Sequence, residues 1–113
     1  MNQKKMLMAG IDTCDGIQRF GGNKQLYEKF LYGFLSDPNY SIMLNAINKC
    51  DTSSAFQAAH ALKGIAGNLS LIELYKNLVP LVELLRNNST ENVNFVLDPV
   101  KNSYKAIFDA LSE

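Results

Sequence analysis

Between Ala55 and Leu69, apolar residues recur at three- and four-residue steps without a break: Ala55, Ala58, Ala59, Leu62, Ile65, Ala66 and Leu69. That spacing stacks them on one face of an α-helix and commits the face to packing inward. The same periodicity recurs along the chain. Residues 24–35 carry Leu26, Tyr27, Phe30, Leu31, Phe34 and Leu35 at helical spacing, and a third segment carries Ile42, Met43, Ala46 and Ile47 to about Cys50. Residues 71–87 carry Leu71, Leu74, Leu78, Leu81 and Leu85, and the last helix, ending near Leu111, directs Val93, Val96, Val100, Tyr104, Ile107 and Leu111 inward. No segment shows sustained two-residue alternation with β-branched enrichment, so a sheet is not expected.

Capping and breaking residues divide these helices. Asp12 can start a short helix to about Phe20, which Gly21-Gly22 ends, and Asn23 can cap the next. Ser36-Asp37-Pro38 stops that helix, and Asp51-Thr52-Ser53-Ser54 supplies caps for a helix over 53–68. Pro80 should bend the helix that contains it, and Asn87-Asn88-Ser89-Thr90 reads as a loop whose Ser89 or Thr90 caps the last helix, with Asp98-Pro99 as its weak point. Short loops between long amphipathic helices favour antiparallel neighbours. The expected fold is all-α: an up-and-down antiparallel four-helix bundle with a short additional N-terminal helical segment, one domain over 1–113 in which 1–10 has room for flexibility.

The face of the 53–68 helix opposite the core carries the chain's single histidine, His60, with Lys63, Gly64 and Gly67. Two glycines in an exposed helix give up about 2 kcal/mol relative to alanine, in a domain whose whole stability is roughly 5 to 15 kcal/mol. Close helix approach or a helix end near the glycines would account for them. The unbroken apolar periodicity on both sides favours another use, a bare surface beside the imidazole onto which a second protein can settle. Lys63, one turn on from His60, lies on the same face and can stand near an anion carried by the ring.

The run His60-Ala61-Leu62-Lys63-Gly64-Ile65-Ala66-Gly67 resembles the signature of the histidine-containing phosphotransfer (HPt) domain of bacterial two-component phosphorelays. Upstream, Gly10-Ile11-Asp12, Gly16-Ile17-Gln18-Arg19-Phe20-Gly21-Gly22-Asn23 and Leu26-Tyr27 are similar to the amino-terminal segment of many members, so the resemblance brackets about half the chain. It implies that His60 is the phosphoacceptor, exchanging a phosphoryl group with an aspartate of a receiver domain. Lys63 would offset the phosphoryl charge, and Gly64, Gly67 and Gln57 would form the binding surface. The implied partners are a response-regulator receiver domain, a hybrid sensor histidine kinase, or both. The magnesium-dependent machinery would belong to the receiver, so no cofactor and no metal are expected on this chain, and it would be a carrier rather than an enzyme. The alternative is a non-phosphorylated helical bundle that binds or sequesters a receiver.

The chain departs from the family pattern in two places. Ser70 stands where a glycine commonly ends the histidine helix, and its hydroxyl is expected to cap the following one. A Glu or Gln common on the next helix is replaced by Val82, and Glu83, one residue later, is turned away by about 100°.

Composition is consistent with a small carrier. The 113 residues are 47% hydrophobic, and 11 basic side chains balance 11 acidic ones, which gives no general attraction for nucleic acid or acidic lipid. No apolar run approaches the roughly 20 residues of a membrane span, and the opening residues are too briefly apolar for a secretory core, so a cytoplasmic protein is expected, and a monomer because one bundle uses all the apolar residues. Cys14 and Cys50 lack the spacing of a zinc or redox motif and are expected to be buried or half-buried thiols. No paired base, phosphate-binding glycine loop or His-Glu-x-x-His motif supports an enzyme.

Overall fold

Side chains at the helix starts set the architecture. In the structure, a computed structural model that describes residues 2–112, the backbone amides of Lys5, Asp15, Leu26 and Ser54 each donate to a side-chain oxygen three residues earlier, on Asn2, Asp12, Asn23 and Asp51. Each bond satisfies one of the amides that a helix start leaves without a partner. The helices so opened are α1 (Gln3–Met8), α2 (Thr13–Arg19), α3 (Lys24–Gly33) and α5 (Thr52–Asn68). Helices α4 (Asn39–Asn48), α6 (Ile72–Arg86) and α7 (Val93–Leu111) begin without a side-chain cap. A single 3₁₀ turn, Phe34–Ser36, closes α3 two residues before Pro38.

Helix ends share one device. After α1, α2, α4, α5 and α6 the chain enters the left-handed region, at Gly10, Gly21, Cys50, Ser70 and Asn88. The following amide then reaches back to the last turn, as in Ile11 to Met6 O at 3.0 Å, Asp51 to Ala46 O at 2.9 Å and Leu71 to Ala66 O at 2.9 Å. This closure satisfies the orphan carbonyls within two residues, so the connections stay short.

The described residues form a helical bundle with no strand. Helix α5 is central, packing on α4 and α6, while α6 packs on α7 and α1 lies against α7. The α5 residues Ala55, Ala58, Ala59, Leu62 and Ala66 are buried, as are Leu69 and Leu71 in the turn that follows and the α6 leucines Leu74, Leu78, Leu81 and Leu85. Small alanines on one side of α5 let its neighbours approach closely, and the α6 leucines fill the space between helices. Helix α6 continues through Pro80, which lies on its exposed side.

Stitches between the N-terminal helices and the α5–α6 turn complete the fold. Ile11 and Leu71 form an isolated antiparallel bridge, with Asp12 N donating to Ser70 O at 2.9 Å and Ile72 N to Gly10 O at 2.8 Å. Tyr27 is fully buried, and its hydroxyl donates to Leu69 O at 2.8 Å. It fits because residue 16 is glycine, where a Cβ would collide with the Tyr27 ring.

Residues 3–8 form α1 with Met6 buried against the core, because Asn2 caps the segment and Gly10 closes it. At several other positions the structure departs from the sequence expectation. Ser70 does not cap α6: Leu71 occupies that position without a side-chain bond, and the Ser70 hydroxyl turns to Asp15 Oδ2 at 2.6 Å. Neither Ser89 nor Thr90 caps α7, which starts after a left-handed Asn92; Ser89 Oγ accepts instead from Glu91 N at 3.1 Å. Cys14 and Cys50 are both exposed free thiols, because one lies on the outer side of α2 and the other at the left-handed end of α4. Leu26 and Phe30, expected inside, remain 39% and 51% exposed, since α3 buries its Tyr27 and Leu31 side instead.

Candidate functional site

The amphipathic pattern of α5 places His60 at its consequence: with Ala59 and Leu62 buried, the imidazole between them in sequence is directed to solvent. His60 lies about midway along Thr52–Asn68, away from either fraying end. Neither ring nitrogen hydrogen-bonds to a described residue. The ring rests beside Phe56, one turn earlier, with centroids 5.7 Å apart and planes at 37°. Both nitrogens therefore remain available to an incoming electrophile or hydrogen-bonding group.

Gly64 is exposed, and a Cβ built there would meet nothing within 4 Å. The space beside His60 is open, and no neighbouring helix requires a glycine at 64. Gly67 differs from the sequence expectation of a second bare position. Tyr75 of α6 lies over it, with ring carbon Cε2 3.3 Å from where a Cβ would be. Close approach between helices accounts for this second glycine, and Gly67 is only half-exposed as a result. Gln57 is exposed on α5, one turn before His60.

Two cations flank the imidazole, each resting on an aromatic ring of the other helix. Lys63 Nζ stands 5.7 Å from the centre of the Tyr75 ring, and no carboxylate among the described residues pairs with it. On the other side of His60, the Arg86 guanidinium lies 5.0 Å from the centre of the Phe56 ring. Arg86 Nε also meets Glu83 Oε1 at 3.2 Å, so part of its charge is already answered. Val82 is buried at 1% exposure and Glu83 is engaged with Arg86, and among the described residues no side chain of α6 hydrogen-bonds the imidazole.

Phe56, Tyr75 and Arg86 are the site residues that sequence reasoning missed. Phe56 was detectable as the i−4 neighbour of His60, one turn away on the same helix. Tyr75 and Arg86 reach the site only through the packing of α6 on α5, for which one sequence carries no local signal.

An apolar groove of about 540 Å³ adjoins the site, between α3 and the second half of α5, lined by Phe20, Phe30, Phe34, Ile65 and Leu69, with Lys29 and Asp37 among its polar residues. Among the described residues no three His, Cys, Asp or Glu side chains converge as a metal site, and no helix is long and apolar enough to cross a membrane. No family model, curated protein or solved structure matches the chain.

Proposed function

We propose that this chain is a histidine phosphocarrier of the HPt type, in which His60 accepts a phosphoryl group from an aspartate of a receiver domain and returns it to another. The carrying observation is the exposed imidazole in mid-helix, without a hydrogen bond to any described residue, with open space at Gly64 and, one turn on, a lysine that no described carboxylate neutralises. A ring nitrogen attacks phosphorus through its lone pair, the bond from phosphorus to the aspartyl oxygen breaks, and the carboxylate leaves with that electron pair. This step requires no base on the carrier. Lys63 offsets charge on the transferred group, an interaction that strengthens once a docked partner excludes water. Gly64, Gln57 and the groove beside Ile65 provide the surface on which a receiver settles, and exposed Phe30 adds apolar contact area.

In this reading α4 to α7 form an antiparallel up-and-down four-helix bundle, and α1 to α3 brace the end at the α5–α6 turn. Consecutive packing of α4, α5, α6 and α7 supports that order. So do the short connections, with Lys49, Cys50 and Asp51 alone separating α4 from α5. The chain acts as a cytoplasmic monomer whose partners are receiver domains and hybrid sensor kinases.

The test mixes the purified chain with radiolabelled phospho-receivers from its own genome. A phosphate that is acid-labile and alkali-stable should appear on the wild type and be absent from His60→Gln. A wild type that binds a receiver yet takes no label would replace the carrier with a sequestering bundle.

A further inference from the structure

The geometry assigns Tyr75 as a positioning residue: seated on Gly67, its ring holds the Lys63 ammonium on the face of α5 that presents His60. The inference rests on the carrier reading for its consequence, but the seat is a property of the unmodified protein. Lysine side chains lose substantial rotamer freedom when fixed, and among the described residues no carboxylate fixes Lys63. What stands beside it is the π face of Tyr75, at a distance within the 6 Å reach of a cation–π contact. Tyr75 is 40% exposed and belongs to α6, and the Cε2–Cδ2 edge of its ring meets α5 at Gly67. Gly67 makes that possible, since any Cβ there would stand 3.3 Å from the ring and force it to shift.

The three residues thus form a relay in which the missing side chain at 67 sets the ring and the ring sets the cation. A carboxylate in place of Tyr75 would hold the lysine more firmly but would neutralise it. An aromatic ring orients the ammonium and leaves its charge available to an arriving phosphoryl group. Because the contact is weak, Lys63 can leave the ring for the phosphoryl oxygens without a large penalty.

The experiment uses the full chain and phosphoramidate, a small donor that needs no receiver. The P–N bond of phosphoramidate breaks, a ring nitrogen of His60 forms the new P–N bond, and ammonia departs with the electron pair. In NMR spectra the Lys63 ε-methylene resonances should be shifted upfield by the ring in wild type and in Tyr75→Phe, reduced in Gly67→Ala, and unshifted in Tyr75→Leu. Phosphohistidine formation should slow about two- to five-fold in Tyr75→Leu, recover in Tyr75→Phe, and slow no further when Tyr75→Leu is added to Lys63→Ala. Unshifted Lys63 resonances in wild type would overturn the assignment, as would a Tyr75→Leu defect that persists in full without Lys63. A ring-shifted Lys63 in a wild type that takes no phosphate would uphold the seat and overturn the carrier reading instead.

Discussion

The Ser70 hydroxyl donates to Asp15 Oδ2 at 2.6 Å, tying the end of α5 to the first turn of α2. Ser70 holds this bond from a left-handed backbone, at φ 57°, where a side chain costs about 1 to 2 kcal/mol that glycine avoids. Ser70→Gly loses the bond and relieves the backbone, whereas Ser70→Ala loses the bond and keeps the strain. Urea unfolding should therefore rank Ser70→Ala below Ser70→Gly by about 1 kcal/mol. The reverse order would show that the turn does not store strain at residue 70.

The same bond makes stability depend on acid. The hydrogen bond from Ser70, and then that from Arg19 at 2.9 Å, hold the Asp15 carboxyl below its ordinary value of 3.8. A depressed folded value means that the contribution is complete above 3.8 and is lost as pH falls through the folded value. Wild type should be more stable than Ser70→Ala at pH 6, and the gap should narrow below pH 3.8. A gap that stays constant across an acid series of melts would exclude Asp15 as its source.

Tyr27 should be the most consequential tyrosine for stability. Tyr27→Phe strands the buried Leu69 carbonyl and should cost about 1 to 2 kcal/mol, read as a lower urea midpoint at constant slope. Burial first, then the charges of Asp12 and Asp15, push the Tyr27 phenol up to about 12. With its folded value raised, the contribution is whole below the ordinary 10.0 and is lost as pH rises toward about 12. Alkaline unfolding across that window should be less steep in Tyr27→Phe.

Gly64 and Gly67 should respond differently to the same substitution. Gly64→Ala meets open space and should stabilise the helix by about 0.5 to 1 kcal/mol, while Gly67→Ala should gain less because Tyr75 must yield. Gly64→Glu should keep the helical circular dichroism yet slow phosphoryl transfer from a receiver roughly ten-fold or more, about 1.4 kcal/mol of barrier. Wild-type transfer in that variant would show that receivers approach from another face.

Both thiols should react with a disulfide reagent in the native state, because Cys14 and Cys50 are exposed. Titration without denaturant should reach the same end point as titration in guanidinium. Half the denatured value would mean that one of the two is shielded in solution.

The identity of the helices after α1 was legible from the chain because it depends on neighbours three and four residues apart. The α5 face from Ala55 to Leu69, the α6 leucines and the caps at Asp12, Asn23 and Asp51 are local patterns, and each appears where the spacing implies. Solvent exposure of His60 follows from the same arithmetic, since a residue between buried Ala59 and Leu62 points away from the core. The helix ends near Cys50, Ser70 and Asn88 were legible from the end of the periodicity, but the left-handed turns at Cys50 and Ser70 were hidden, because neither residue type favours that backbone, whereas Gly10 and Gly21 adopt it freely and asparagine tolerates it at Asn88.

Only the packing of α6 on α5 decided what surrounds the imidazole. It seated Tyr75 on Gly67, laid Lys63 on that ring and brought Arg86 over Phe56, contacts between residues of different helices. Periodicity tells which side of a helix faces inward, but not which residue of a neighbouring helix lies opposite it. Two glycines alike in sequence thus took different roles, one left open to solvent and the other covered by a ring.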